Sequence, residues 1–346
     1  MPDDPRTGGP TTRPGAQQDA QDAQPAAGAA DGARPDHGTR TMSMHVDRVP
    51  SATNPADAVA AVLGVLDVRP SADEGPDVFT GTSYRPPWGR IFGGQVLAQS
   101  LVAATRTVDA DRVAHSLHAY FLRPGDPQEP LTFAVERLRD GRSFSARRTH
   151  ALQGGKPILS MIVSFQLPAV GLDHQVAMPD VPPPEDVPSL EDQFGTIELP
   201  AVQELLRSRP VDLRHVEGQI YLAPGPEKVG RQSLWMRAAG PLPDDPRTHT
   251  ALLAFCSDYS LLESILRRHG LPWAVRGLRT ASLDHAMWFH RPARLDDWLL
   301  YTQESPSASG ARGLALGRIY TRDGVLVASV AQEGMMRIPE EFLPVQ

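Results

Sequence analysis

The stretch His118-Ala-Tyr-Phe-Leu-Arg-Pro124 decides the fold, because the second half of the chain repeats it as His285-Ala-Met-Trp-Phe-His-Arg-Pro292. Four further pairs of segments follow these two stretches in the same order. They are Leu131 to Leu138 with Trp298 to Glu304, Arg142 to Arg147 with Ser309 to Arg312, Gly154-Gly155 with Asp323-Gly324, and Ser164 to Gln166 with Ser329 to Gln332. One such match can arise by chance, but five in one order indicate an internal duplication.

Each half begins with a helical pattern and continues with strand-like runs. In the first half, Gly93-Gly94 opens a pattern that extends from Gln95 to about Val108. In the second half, we predict one helix from about Arg247 to His269, with Gly270 as its stop. Turns of the hairpin type separate the strand-like runs that follow. The sequence therefore predicts an α+β fold of two tandem repeats, each a long helix packed on an antiparallel sheet, joined into one continuous sheet.

Composition divides the chain into four segments. No Leu, Ile, Phe, Tyr or Trp precedes Leu63, so the first segment cannot bury enough apolar area to offset the entropy of ordering. Asn54 and Pro55 suit the cap and the first position of a helix. The four predicted segments are a disordered tail (1–53), a first repeat (54–168), a proline-rich linker with one short helix (169–210) and a second repeat (211–340).

Charge and cysteine content exclude several classes of protein. The 346 residues carry a net charge of −7, which argues against a nucleic-acid or anionic-membrane partner. Cys256 is the only cysteine, which excludes an intrachain disulfide and a CxxC zinc site. No apolar run approaches the roughly 20 residues that span a bilayer, and no secretory signal is present. We expect a protein of the cytoplasm.

Acidic residues distinguish the two helical patterns. The first pattern carries no Asp or Glu, whereas the second carries Glu263 and, in its middle among apolar neighbours, Asp258. A carboxylate buried there is costly unless it is paired, and the alternative is that Asp258 lies on an exposed face. Ser282 and Gln332 lie at strand positions, where each alone fits a structural hydrogen-bonding role. Cys256 lies about 200° around the helix from Asp258, so we predict a buried structural thiol.

Five long strings of the sequence stand out by their rare composition. They are Phe92-Gly-Gly-Gln-Val96, His115-Ser-Leu-His-Ala-Tyr-Phe-Leu-Arg-Pro-Gly125, Arg139-Asp-Gly-Arg-Ser-Phe-Ser-Ala-Arg-Arg148, Asp284-His-Ala-Met-Trp-Phe-His-Arg-Pro292 and Asp323-Gly-Val-Leu-Val-Ala-Ser-Val-Ala-Gln-Glu-Gly334. Together they resemble the acyl-CoA thioesterase II family, which has the double hot-dog fold. The resemblance extends from about Ala56 to Ile338, and it implies the same two repeats that the residues predict.

The resemblance also implies an activity and its site. Members of the family hydrolyse acyl-CoA thioesters to free fatty acid and CoA, with no metal or cofactor, and a homo-oligomer is expected. The family's Asp, its Thr or Ser, and its Gln, which act on water, correspond to Asp258, Ser282 and Gln332. Backbone N–H groups at Gly93-Gly94 are a candidate for receiving the oxyanion. A protein that binds or senses acyl-CoA without hydrolysis is the alternative, because a fold alone does not decide activity.

Overall fold

A computed structural model describes residues 54–83 and 90–342 of the chain. The predicted tail, residues 1–53, lies outside the described residues. The described residues form a 13-stranded sheet in which neighbouring strands run antiparallel. No helix in this part of the chain is long and apolar enough to cross a membrane. These features confirm an α+β fold with a large antiparallel sheet.

The described residues form six α-helices and thirteen strands. The helices are α1 (Pro55–Leu66), α2 (Gly93–Thr105), α3 (Leu190–Phe194), α4 (Pro200–Arg207), α5 (Pro246–Ser257) and α6 (Glu263–His269). The strands are β1 (Arg69–Pro70), β2 (Val78–Gly81), β3 (Val113–Phe121), β4 (Leu131–Asp140), β5 (Phe144–Gln153), β6 (Lys156–Gln166), β7 (Val211–His215), β8 (Arg231–Ala238), β9 (Arg279–Ser282), β10 (Asp284–Phe289), β11 (Leu299–Ser309), β12 (Arg312–Thr321) and β13 (Leu326–Arg337).

The order of strands in one half of the sheet mirrors the order in the other half, about the central β3–β10 pair. The order is β1-β2-β4-β5-β6-β3-β10-β13-β12-β11-β8-β7, with β9 added on β13. Outward from the β3–β10 pair, β6 therefore matches β13, β5 matches β12, β4 matches β11 and β2 matches β8. Helix α2 packs on β4, β5 and β6, while α6 packs on β8, β11 and β12. Helices α2 and α5 pack against each other where the two halves meet.

The predicted start of the first helix is confirmed, but the predicted single helix of the second half is wrong. Asn54 caps α1 by accepting a hydrogen bond from the Asp57 N–H at 3.0 Å. In the second half, α5 ends at Ser257 and α6 begins only at Glu263. The Tyr301 hydroxyl of β11 donates to the Ser257 carbonyl oxygen at 3.0 Å, so that carbonyl is satisfied without a further helical turn. Asp258 is therefore the C-cap of α5 and not a mid-helix residue.

The predicted proline-rich linker contains α3 and α4, and its first part packs against the second half of the sheet. The Trp235 indole N–H donates to the Pro182 carbonyl oxygen at 2.8 Å, and the Leu326 N–H donates to Gln175 at 3.0 Å. Arg322 binds Glu185 with two hydrogen bonds. A second, smaller apolar core forms under this segment, from Val187, Trp235, Trp298, Leu300, Tyr320 and Leu326.

The final strand is longer than predicted. The last matched segment of the sequence ends at Gln332, but β13 continues to Arg337, because β9 and β12 both pair with its second half. Gln332 lies opposite Ala315 of β12, in the interior of the sheet. Gln166, its predicted counterpart, does end β6. The two glutamines therefore occupy different positions along their strands.

Candidate active site

The structure brings the three predicted site residues into one hydrogen-bonded cluster. The Gln332 amide donates from Nε2 to Asp258 Oδ1 at 3.0 Å and to Ser282 Oγ at 2.7 Å. The Ser282 hydroxyl donates to the same Asp258 oxygen at 3.3 Å. Asp258 comes from the end of α5, Ser282 from the end of β9 and Gln332 from the middle of β13. Three elements of the second half thus converge on one carboxylate.

The carboxylate also binds the first half of the chain. The Gly94 N–H, in the first turn of α2, donates to Asp258 Oδ2 at 2.8 Å. Helix α2 has no acidic residue in its first turn, and its N-cap residue, Phe92, makes no side-chain capping bond. Asp258 therefore caps α2 from another helix, where the partial positive charge of the helix N-terminus stabilises an anion.

The two glycines at the start of α2 allow this close approach. A Cβ atom on Gly93 would lie 2.7 Å from Asp258 Oδ2, and one on Gly94 would lie 2.4 Å from the Phe255 carbonyl oxygen. Both distances are shorter than any normal contact. The expectation that N–H groups at Gly93-Gly94 receive the oxyanion stays a prediction, and in this structure the Gly94 N–H is bound to Asp258. Its observed partner is the carboxylate of the candidate base.

Burial shapes the acidity of the carboxyl group. Desolvation raises the pKa of Asp258 above the ordinary value of an aspartate, while hydrogen bonds from Gln332, Gly94 and Ser282 act to lower it. The rise in pKa makes the ionised carboxylate a stronger base than an exposed one. This property suits a group that accepts a proton during catalysis.

Aromatic side chains form an apolar wall beside the cluster. The Phe92 ring stacks on Tyr259 with centroids 4.7 Å apart and meets Phe255 edge-on at 5.1 Å.

The prediction of a buried thiol at Cys256 is confirmed. Burial raises the pKa of that thiol far above its ordinary range, so Cys256 carries no thiolate for nucleophilic attack.

Two residues that sequence reasoning missed complete the cluster. His285 of β10 contacts the Gln332 side-chain oxygen through Nδ1 and the Ser257 hydroxyl through Nε2, the latter at 2.9 Å. Both His285 and Ser257 are fully buried. The signal was present in the strand pattern, because His285 alternates with outward-facing residues and shares the inner face of β10 with buried Met287.

Two family models match the chain. The model described as acyl-CoA thioesterase matches residues 214–335, and the model described as acyl-CoA thioesterase N-terminal domain matches residues 83–166. Acyl-coenzyme A thioesterase 8 of Homo sapiens is 41% identical over 293 residues, which cover 80% of this chain and 89% of that protein. Acyl-CoA thioesterase 2 of Haemophilus influenzae is 38% identical and covers 76% of this chain and 93% of its own length.

Solved structures give the same result. An acyl-CoA thioesterase II from Mycobacterium marinum is 45% identical, with a TM-score of 0.66, and the match covers 82% of this chain and 100% of that one. A conserved protein with a hot-dog fold from Alicyclobacillus acidocaldarius has a TM-score of 0.66 at 21% identity, over 81% of this chain and 98% of that one. The second likeness shows the hot-dog fold alone.

Proposed function

Since the chain belongs to the acyl-CoA thioesterase family, we propose that it hydrolyses acyl-CoA thioesters with a water activated by Asp258, Ser282 and Gln332. The products are a free fatty acid and CoA. The observation that carries the assignment of the site is the convergence of Ser282, Gln332 and the Gly94 N–H on one buried carboxylate. A buried carboxylate with a raised pKa suits the role of a general base.

The proposed reaction needs one base and a positioned water. The water oxygen attacks the thioester carbonyl carbon, and Asp258 accepts the proton that the water loses. The tetrahedral intermediate collapses with cleavage of the C–S bond, and the CoA thiolate leaves and takes the proton from Asp258. A thiolate is a good leaving group, so little acid assistance is required. Ser282 and Gln332 orient the carboxylate and the water so that the water oxygen faces the thioester carbonyl carbon.

We propose further that the fold is a double hot-dog that arose by duplication. The mirrored order of strands about the β3–β10 pair supports this reading, as do the five matched segments in the sequence. The repeats correspond to residues 54–168 and 211–340, with 169–210 between them. In this arrangement the second repeat supplies the catalytic side chains, and the first supplies the N-terminus of α2.

The outer face of the sheet supports a homo-oligomer. Tyr120, Ile162 and Trp288 are exposed on adjacent central strands, whereas residues 175–187 pack on the outer side of the second half. We propose that a second copy covers this exposed apolar face. Light scattering tests the proposal: Tyr120→Glu with Trp288→Glu should lower the molar mass in solution, and an unchanged mass would contradict it.

The decisive assay measures thiol release from a panel of acyl-CoAs of different chain length. Hydrolysis yields one free CoA thiol for each thioester consumed. A protein that binds acyl-CoA and releases no thiol would belong to the non-hydrolytic alternative. The same panel identifies the preferred acyl chain.

Asp258→Asn tests the assignment of the base. The amide keeps the size of the side chain but does not accept the water proton, so we expect kcat to fall by about 10²-fold or more. Circular dichroism and the melting temperature confirm that the variant is folded. A folded Asp258→Asn protein with normal turnover would overturn the proposed site.

A further inference from the structure

A buried histidine links the end of α5 to the candidate active site. His285 has no exposed surface and lies on β10, between Ser257 and the side chain of Gln332. Ser257 directly precedes Asp258. The contacts therefore form a closed path from Ser257 through His285 and Gln332 back to Asp258.

The chemistry of the partners determines which nitrogen carries the proton. An amide oxygen accepts hydrogen bonds and never donates them, so the His285 Nδ1 that contacts Gln332 Oε1 must be the protonated nitrogen. Burial lowers the pKa of His285, which keeps the ring neutral. Nε2 then offers a lone pair to the Ser257 hydroxyl at 2.9 Å. The single proton of that hydroxyl has two acceptors within reach, Nε2 and the Ala254 carbonyl oxygen at 2.8 Å, and it bonds one of them at a time.

Asp258 and His285 together orient the Gln332 amide. An ionised carboxylate only accepts hydrogen bonds, so the amide nitrogen faces Asp258 and Ser282, where both of its hydrogens are used, and the amide oxygen faces His285. A rotation of the amide by 180° would place its oxygen against the Asp258 carboxylate and its nitrogen against the protonated Nδ1. Both contacts would then be repulsive.

We propose that His285 is a positioning residue for catalysis, which holds the Gln332 amide in the only orientation that donates to both Asp258 and Ser282. This inference rests on the proposed function of that cluster. His285 does not touch the reacting atoms in this role. Its effect on turnover passes through the amide of Gln332.

The first half of the chain indicates a substitution that the sheet accepts. Tyr120-Phe121 and Arg123-Pro124 match Trp288-Phe289 and Arg291-Pro292, which aligns fully buried Leu117 with His285. His285→Leu therefore replaces the ring with a side chain that the equivalent strand already buries. His285→Asn is the conservative variant, because its amide nitrogen lies near the position of Nδ1 and restores the donor to Gln332.

The experiment compares kcat, KM and melting temperature for His285→Leu, His285→Asn and the double variant His285→Leu with Gln332→Ala. We expect His285→Leu to lower kcat by about 10-fold to 10²-fold, the scale of a misplaced catalytic group, with little change in KM. His285→Asn should recover most of that loss. The double variant should be no slower than Gln332→Ala alone, since both changes act on one amide. The matched control His290→Leu removes an exposed histidine that directly follows β10, and it should leave kcat unchanged.

Three outcomes would overturn the proposal. They are a folded His285→Leu protein with normal kcat, a His285→Asn protein as slow as His285→Leu, and a double variant that is slower by the product of the two single effects. If His285→Leu does not fold, Ser257→Ala provides the second test: loss of the hydroxyl that holds Nε2 should lower kcat several-fold in a folded protein, and an unchanged kcat would contradict the proposal. Failure of the proposed function has a separate signature, namely normal turnover of Asp258→Asn.

Discussion

At the scale of single residues, the site places a carboxylate where burial and hydrogen bonding have opposite effects on its charge. Desolvation raises the pKa of Asp258, and donors from Gln332, Gly94 and Ser282 limit the rise. The same donors orient the carboxylate, so they supply both the geometry and part of the stability of the anion. The sequence indicated Asp258 through its apolar neighbours, but its partners come from strands distant in the chain.

The pKa of Asp258 predicts the acid limb of the pH profile. The base must be ionised, so kcat falls as the pH falls through the pKa of this carboxyl. Because burial raises that pKa, we expect the limb at a higher pH than an ordinary aspartate would give. Gln332→Ala removes a donor that favours the charged form, so the limb should move to still higher pH. Measurement of kcat against pH for both proteins tests this, and a limb that moves to lower pH in the variant would contradict it.

At the scale of elements, the two glycines that start α2 have different tasks. A Cβ on Gly93 would meet the end of a side chain, Asp258 Oδ2, whereas a Cβ on Gly94 would meet the backbone oxygen of Phe255. A side chain can move aside, but two packed helices must separate to admit a methyl group. The first substitution should therefore affect the chemistry, and the second should affect the packing of α2 on α5.

Gly93→Ala and Gly94→Ala separate these effects. We expect Gly93→Ala to lower kcat by about 10-fold or more through displacement of the carboxylate, with a small change in stability. Gly94→Ala should destabilise the fold by about 1–3 kcal/mol, the usual cost of overpacking. Gly64→Ala is the control, because its Cβ meets nothing within 4 Å in α1. Measurements of the melting temperature and kcat of the three variants test this difference. An equal loss of stability in Gly93→Ala and Gly94→Ala would contradict it.

The elements also show what sequence could and could not predict. In each half, a helical pattern followed by strands with hairpin turns was predictable, because hydrophobic period and turn residues are local signals. The break at Asp258 was not, since the Tyr301 hydroxyl that satisfies the end of α5 lies 44 positions away. The alignment of His118 with His285 was wrong by one residue. In a strand such a slip reverses the face, and His118 is exposed while His285 is buried.

At the scale of the whole molecule, two similar halves form one candidate active site. The C-cap of α2 is Arg106, where α5 has Asp258. Val163 pairs with Leu117 in the first half, whereas Gln332 adjoins Ala331, the partner of Ala286, and so lies beside His285 in the second. The first half therefore has a cation and two apolar side chains at the positions that Asp258, His285 and Gln332 occupy in the second half. Its remaining contribution is the N-terminus of α2.

This difference predicts opposite results for two glutamines that the sequence alone would treat as equivalent. Gln166 ends β6 opposite Val113 and Phe144, so Gln166→Ala should cost stability or substrate binding and leave the chemical step intact. Gln332→Ala removes a donor to Asp258 and should slow the chemical step by about 10-fold or more. Single-turnover kinetics separate chemistry from binding and product release. An equal slowing of the chemical step in Gln166→Ala would mean that the first half also supplies catalytic groups, and the model of one centre per chain would then be wrong.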